Sequence, residues 1–533
     1  MKNQTSDPGS SLPLVVSVGF AGSRMLIASG HVLTDSEREE FHQVVENYLY
    51  ECIAGIPEEL HLQPNHFLCG ISQIAIGADT LFTRALSARG IPQRIFLPQA
   101  REEYLNATGT SGTPDFSTTD KVIASDLLLS PHIIQERVVS DASDRTNRFE
   151  DTNLHILNAS DVIVILLRAN ADTKPGGTDD LLQHALHHHK PVLEIQVSFE
   201  NQQAAFTKTW HKLPQNWIPA PLPEILRSVA FPPDPSPPPA GLPTSSAHFL
   251  STLKSLGSQI ADWKSKGFKN SALIIIGAHF IATICAVCAL RYHHPAILII
   301  ELLLLITGFT VHILLHRSQS MRVWAVSRIS AEIARSVRCI EGIHIHLGHL
   351  FQLPLPHSFR PLLRTINTLH LASSKNSRTS WQLQKNHYIE NRLLGKDGQI
   401  NYYKSNLEKA TRLLKFANTG FKLATIIAVV ATIVKLALII LNNHDTHLQE
   451  NLGSIAILLP IAAVASLSLA ASFDLEARTH TYDETLRFLL EVEPRLRTTR
   501  TERAFIRLLI ETETRLLGET ANWFSRRSFT GIN

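Results

Sequence analysis

"LPLVVSVGFAGSRM", residues 12–25, decides the fold. Leu14–Val18 is a continuous apolar run of strand length, and Gly19, Gly22, Ser23 and Arg24 follow it. A short run without polar alternation suits a strand buried on both faces, as in parallel sheets covered by helices. A helix over Asp35–Ala54 comes next, capped by Thr34 or Asp35. The pattern then repeats. Strands are expected at 66–70 (HFLCG), 91–98 (IPQRIFLP), 160–167 (SDVIVILL) and 191–197 (PVLEIQV). Helices fall after Gly77 and after Thr178, while 101–150 reads as polar and irregular with one helix near 119–129. Residues 12–200 therefore predict an α/β, Rossmann-like domain with a parallel sheet.

Three glycine-bearing loops follow strands: GFAGSR after the first, AIGAD after the second and KPGGT after the fourth. Ligands of such sheets bind at the carboxyl ends of strands. Glycine lets backbone N–H groups approach phosphate oxygens, and a helix N-terminus behind the loop adds donors and a favourable dipole. The candidate ligand-binding residues are Gly19, Gly22, Ser23, Arg24, Gly77, Ala78, Asp79, Gly176, Gly177 and Thr178. In DRTNRFEDTN (144–153), Arg145 and Arg148 suit a phosphate and Glu150 or Asp151 a ribose hydroxyl. The alternative is a solvated charged loop. His187–His189 close a helix, where cations suit the dipole.

These motifs resemble the SLOG superfamily, which includes the DprA and LOG proteins. Ser72–Asp79 (SxxAxGAD) is similar to the DprA-type signature and Pro175–Thr178 (PGGT) to the LOG-type one. The resemblance implies a nucleotide or nucleotide-derived ligand. LOG enzymes carry PGGxGTxxE, whose glutamate serves N-glycosidic hydrolysis. Alignment on the glycine pair puts Gln183 there, and alignment on Thr178 puts Leu181. The resemblance thus carries binding over better than catalysis, and no catalytic residue is assigned. Asp179 and Asp180 keep a membrane-anchored nucleoside or NAD hydrolase as the alternative.

Proline crowds residues 211–247, including FPPDPSPPPAGLP, so this stretch reads as an extended linker. Four apolar runs of membrane-spanning length follow, at about 271–290, 296–315, 421–441 and 452–472. They form two hairpins, one within 248–350 and one within 399–533, joined by a connecting segment, 351–398. Lys264, Lys266, Lys269, Arg317, Arg322, Arg328, Arg412, Lys415 and Lys422 flank the hairpin bases, so the positive-inside rule predicts a multi-pass protein with both termini cytoplasmic. GFKNSALIII at 267 and GFKLATIIAV at 420 suggest that the hairpins are repeats. Glu301 and Lys435 lie within spans; they either snorkel, pair or line a polar path. Small residues from Ala462 to Ala471 favour close helix packing. The expected fold class is thus a Rossmann-like domain followed by an α-helical transmembrane domain with cytoplasmic helices.

A net charge of +3 argues against a nucleic-acid binder driven by a large basic surface. The five cysteines form no zinc pattern, no metal is expected, and the first residues lack the shape of a signal peptide. Paired membrane helices with QINYYKSNLEKATRL (399–413) and LLGETANWF (516–524) resemble the SLATT domain, a membrane module found with nucleotide sensors in bacterial conflict systems. This resemblance implies a homo-oligomeric, pore-forming effector of the bacterial inner membrane that acts in anti-phage defence. Its partners would be a cyclic or NAD-derived nucleotide and the lipid bilayer; no other cofactor is expected. A ligand-regulated channel or transporter is the remaining alternative.

Overall fold

A computed structural model describes residues 11–27, 34–108, 113–169, 176–200, 203–211, 223, 226, 230–235, 241–292, 294–375, 377, 379–441 and 446–528. Most of the proline-rich linker, and residues 170–175 of the KPGGT loop, lie outside the described residues. The chain divides into two compact units. One comprises residues 1–252 with 341–351 and 356–378; the other comprises 253–340, 352–355 and 379–533.

The first unit holds a seven-stranded sheet: β1 (Leu14–Gly22), β2 (His66–Ser72), β3 (Gln93–Leu97), β4 (Ile133–Val138), β5 (Val162–Arg168), β6 (Val192–Glu200) and β7 (Gln203–His211). The spatial order is 4-3-2-1-5-6-7, with all pairs parallel except β6–β7. Two strands exceed the expectation. β4 (IIQERV) lies in the stretch read as irregular, because three polar residues interrupt its apolar ends. β7 (QAAFTKTWH) is an edge strand, half exposed, and carries too little apolar content to announce itself.

Between its strands this unit carries the helices α1 (Asp35–Glu59), α2 (Ala78–Ala88), α3 (Arg101–Leu105), α4 (Thr118–Leu128), α5 (Arg145–Ala159) and α6 (Thr178–His187). α1 begins with a capping box in which the Thr34 side chain accepts from the Glu37 N–H and the Glu37 carboxylate accepts from the Thr34 N–H. Ser117 and Asp120 do the same for α4. One sheet face buries Val16, Val18, Phe20, Val164 and Leu166 against Phe41, Leu49, Ile53, Leu81 and Phe82. On the other face, α5 and α6 seal Ile71, Phe96, Ile163 and Ile165 with Ile156, Leu157, Leu181 and Ala185.

The second unit is helical. α7 (Ser246–Tyr292, whose first turns belong to the first unit) and α8 (Pro295–Arg317) form one hairpin, and α9 (Ser320–Cys339) follows. Beyond α10 (Arg360–Ser374), which belongs to the first unit, come α11 (Trp381–His387) and a π-helical turn, Tyr388–Leu394. α12 (Gln399–Ile440) and α13 (Thr446–Ser472) make the second hairpin, succeeded by α14 (Leu475–Thr498) and α15 (Glu502–Ser528). Among the described residues, four helices are long and apolar enough to cross a membrane: α7, α8, the helical stretch ending in α12, and α13.

Their large side chains face outward. Leu302, Leu303, Ile306, Phe309, Ile426, Ile433 and Leu436 are exposed, whereas the buried residues within the apolar spans of the second hairpin are Ala428, Ala431, Ala463 and Ala470. This distribution suits lipid outside and close small-residue packing inside. The hairpins meet through Arg291 and Glu450, 3.6 Å apart. Lys435 lies against Gly453, and among the described residues neither Lys435 nor Glu301 has an ion-pair partner.

Candidate ligand-binding site

The strand order reverses at β1. β2, β3 and β4 run outward on one side, β5 and β6 on the other. A crevice between the carboxyl ends of β1 and β5 is where a doubly wound sheet accepts a ligand, because the crossover helices diverge there. Residues around that point are tied together by backbone contacts.

Ser23 follows the last residue of β1 and is fully engaged. Its N–H donates to the Leu166 carbonyl (2.9 Å), its Oγ accepts from the Arg168 N–H (3.1 Å), and its carbonyl accepts from the Ala78 N–H (3.3 Å). The three bonds lock the end of β1 to β5 and to the start of α2. Gly77 caps α2 with φ +83°, and a Cβ there would overlap the Arg24 carbonyl oxygen. A Cβ on Gly22 would overlap that of Ala78. These glycines let two loops touch, which is a different use from cradling phosphate with free amides.

The third loop joins through side chains. Gln73 donates to Asn153 Oδ1 (3.2 Å), and Asn153 Nδ2 donates to the Gly176 carbonyl (2.9 Å). Gly176, at φ +70°, packs on the first turn of α5, where a Cβ would sit 3.2 Å from the Thr146 carbonyl oxygen. Its N–H donates to Asp180 (3.0 Å). Gly177 caps α6 without a side-chain bond, and Thr178 is the first helical residue. The structure thus brings Gly22, Ser23, Arg24, Gly77, Ala78, Asp79, Gly176, Gly177 and Thr178 to one end of the sheet.

Other residues take different roles. Gly19 lies within β1, where a Cβ would overlap Ser160 Oγ, so it admits the end of α5 to the sheet. Arg148 donates from Nε to the Ala142 carbonyl (2.6 Å) and from Nη1 to Gln99, which leaves it holding loops together. Glu150 lies in α5, its N–H close to Gly176. Asp151 accepts from the Ser140 hydroxyl (2.6 Å).

Sequence reasoning did not anticipate the charged cluster. Asp115 is held by Arg24 (3.4 Å) and by Arg145 (2.5 Å). Both guanidinium groups lie over Phe149, 5.2 and 5.3 Å from the ring centroid. Two cations sharing one carboxylate leave a net positive charge. Tyr104 packs on Phe116 and Phe149, and its buried hydroxyl has no hydrogen-bond partner among the described residues. Asp79 is 5% exposed; Oδ2 accepts from the Ala75 N–H (3.3 Å) and Oδ1 has no partner of good geometry. Burial pushes the Asp79 carboxyl up to about 7, against the pull of the Ala75 amide, the Arg24 charge and the Gly22 amide. Tyr104 and Asp115 lie in the polar stretch 101–150, which carries no motif that would mark them.

Comparison with protein-family models, with curated proteins and with solved structures returns no match.

Proposed function

We propose that this protein is a nucleotide-responsive membrane effector: the sheet domain binds a cyclic or NAD-derived nucleotide, and the hairpins act on the membrane. The observation that carries this reading is the convergence of loops at the carboxyl ends of β1 and β5. Three glycine-bearing loops meet there beside Arg24 and Arg145, two cations that share the single carboxylate of Asp115. An anionic phosphate would complete that charge balance. The SLOG- and SLATT-like motifs support the same assignment. The membrane in question is the bacterial inner membrane, and ligand binding shifts a homo-oligomer towards an open pore during anti-phage defence. Such a shift requires the ligand to bind the two states unequally.

Binding rather than cleavage fits the loop chemistry. Position 181 or 183 holds Leu or Gln, and Asp180 is occupied by the Gly176 amide. The test is calorimetric titration of the full chain in nanodiscs with cyclic nucleotides, NAD and ADP-ribose, alongside dye efflux from liposomes. Saturable binding that weakens about tenfold or more in Arg145→Gln, with ligand-dependent efflux, is the expected result. Failure of every nucleotide to bind would overturn the proposal. Release of free base from NAD would replace it with a hydrolase.

A further inference from the structure

Arg94 is the second residue of β3, at the amino end of the sheet, away from the crevice described above. It is 6% exposed, yet among the described residues no carboxylate pairs with it. Its one hydrogen bond runs from Nε to Gln135 Oε1 (2.8 Å), and its guanidinium lies 5.2 Å from the Phe96 ring centroid. The register of β3 and β4 slips between Gln93 and Arg94, so a bulge sits beside this pair. Bulges of this kind re-aim side chains, and here one accompanies a buried charge.

The surroundings add positive charge. Burial lowers the Arg94 pKa to about 10; Cys69 opposes this, and Arg137 and Arg364 reinforce it. Arg364 is neutralised by Asp161, but the exposed Arg137 has no ion-pair partner among the described residues. His346 lies within electrostatic reach of both Arg94 and Arg137, and burial together with these charges lowers it to about 3. Its Nδ1 bonds Asn367 Oδ1 (3.1 Å). Asn367 is 1% exposed and its Nδ2 donor has no partner. Among the described residues Arg94 and Arg137 lack an ion-pair partner and the Asn367 Nδ2 donor is unsatisfied, which is costly for a buried group unless an acceptor arrives.

We propose that Arg94 and Arg137, with the Asn367 Nδ2 donor that His346 orients, form a second site that binds a phosphate group. β3 and β4 supply the arginines; Asn367 comes from α10, whose Leu371 packs with Ile134 of β4, in the chain that returns to this unit between the two membrane hairpins. An occupied site fastens that returning segment to the sheet. The phosphate comes either from solution or from a lipid headgroup.

Full-length protein in nanodiscs of zwitterionic lipid is titrated with inorganic phosphate at constant ionic strength. Thermal unfolding and hydrogen exchange of residues 343–371 are read. A saturable rise in midpoint with slower exchange in that segment indicates a soluble source. If phosphate does nothing but nanodiscs containing phosphatidylglycerol slow the exchange, the source is the headgroup. No response in either arm overturns the site. Arg137→Gln, on the surface, is expected to leave the ligand-free midpoint unchanged and to weaken the response about tenfold. Arg94→Met is expected to abolish the response without lowering the ligand-free midpoint, since it removes an uncompensated charge. A purely structural Arg94 predicts the reverse: a lower midpoint in the variant and no response in the parent.

Discussion

Gly77 and Asp79 stand two residues apart and answer to different forces. Gly77 has a backbone conformation that L residues rarely adopt, and it faces the Arg24 carbonyl. Gly77→Ala therefore meets both torsional strain and a clash, and a loss of about 1–3 kcal/mol is expected in the unfolding of the sheet domain. A variant as stable as the parent in chemical denaturation would refute this. For Asp79 the force is desolvation. Its pKa rises from 3.8 to about 7 on folding. The folded chain holds the proton more tightly than the unfolded chain, so stability falls as pH rises between those values. Asp79→Asn cannot ionise. Its stability relative to the parent should therefore climb from pH 4 to pH 8, by up to about 4 kcal/mol. A pH-independent difference between the two would remove desolvation as the cause. The glycines of these loops were legible in the sequence because glycine announces special backbone. The partners of Arg24 were not, since Asp115 and Arg145 lie 91 and 30 residues apart in chain from Arg24 and Asp115 respectively.

Elements show a repeat that the short GFK match only hinted at. In each hairpin, a long helix of 47 or 42 residues is followed by a shorter helix of 23 or 27 residues. Each returning helix is followed by one left-handed residue, Gln319 (φ +45°) or Asp474 (φ +51°), at the N-cap of the next helix. Neither residue is glycine, so each break rests on surrounding contacts; Arg527 pairs with Asp474. The π-helical turn rests on a buried ion pair. Arg392 meets Glu513 of α15 through two hydrogen bonds, 3.0 and 2.9 Å, and Tyr388 donates to the same carboxylate (2.6 Å). Burial opposes the Glu513 charge, but Arg392 and its hydrogen bonds hold its pKa below the usual carboxylate range. Glu513→Gln leaves Arg392 charged and buried, and a loss of about 3–5 kcal/mol is expected by thermal unfolding. The double variant Arg392→Met with Glu513→Leu should recover most of it; a double variant no better than the single would argue that the pair is not the cause. Five strands and four spans were legible because their apolar runs are continuous. β4 and β7 were not, because an edge or bulged strand is stabilised by pairing rather than by its own composition.

At the scale of the whole chain, the connectivity between the hairpins matters most. Residues 351–398 carry no motif, yet α10, within them, completes the core of the sheet domain. Thr365 Oγ1 accepts from the Val15 N–H (2.9 Å), a donor at the start of β1 before β5 pairing begins at Val18. Leu371 joins Val15, Cys69 and Ile134 in one apolar cluster. Arg364 pairs with Asp161 and donates to the Asn158 carbonyl (3.1 Å), and Lys375 donates to the Ser130 carbonyl (2.6 Å). Some 350 residues separate Val15 from Thr365, so no local pattern could reveal the contact. The sheet domain is therefore not a detachable N-terminal module. The chain leaves it for the first hairpin, returns to finish it, and leaves again for the second. A fragment ending at Thr252 would expose Val15, Cys69 and Ile134 and leave the Val15 amide unpaired. It should aggregate or unfold at markedly lower temperature than the same domain in the full chain. Adding residues 341–378 in trans should restore solubility and protect the Val15 amide from hydrogen exchange, with Leu371→Asp in the added piece abolishing the rescue. A fragment that folds stably alone would show that α10 merely rests on the sheet, and that the hairpins are tied to this domain at one point instead of two.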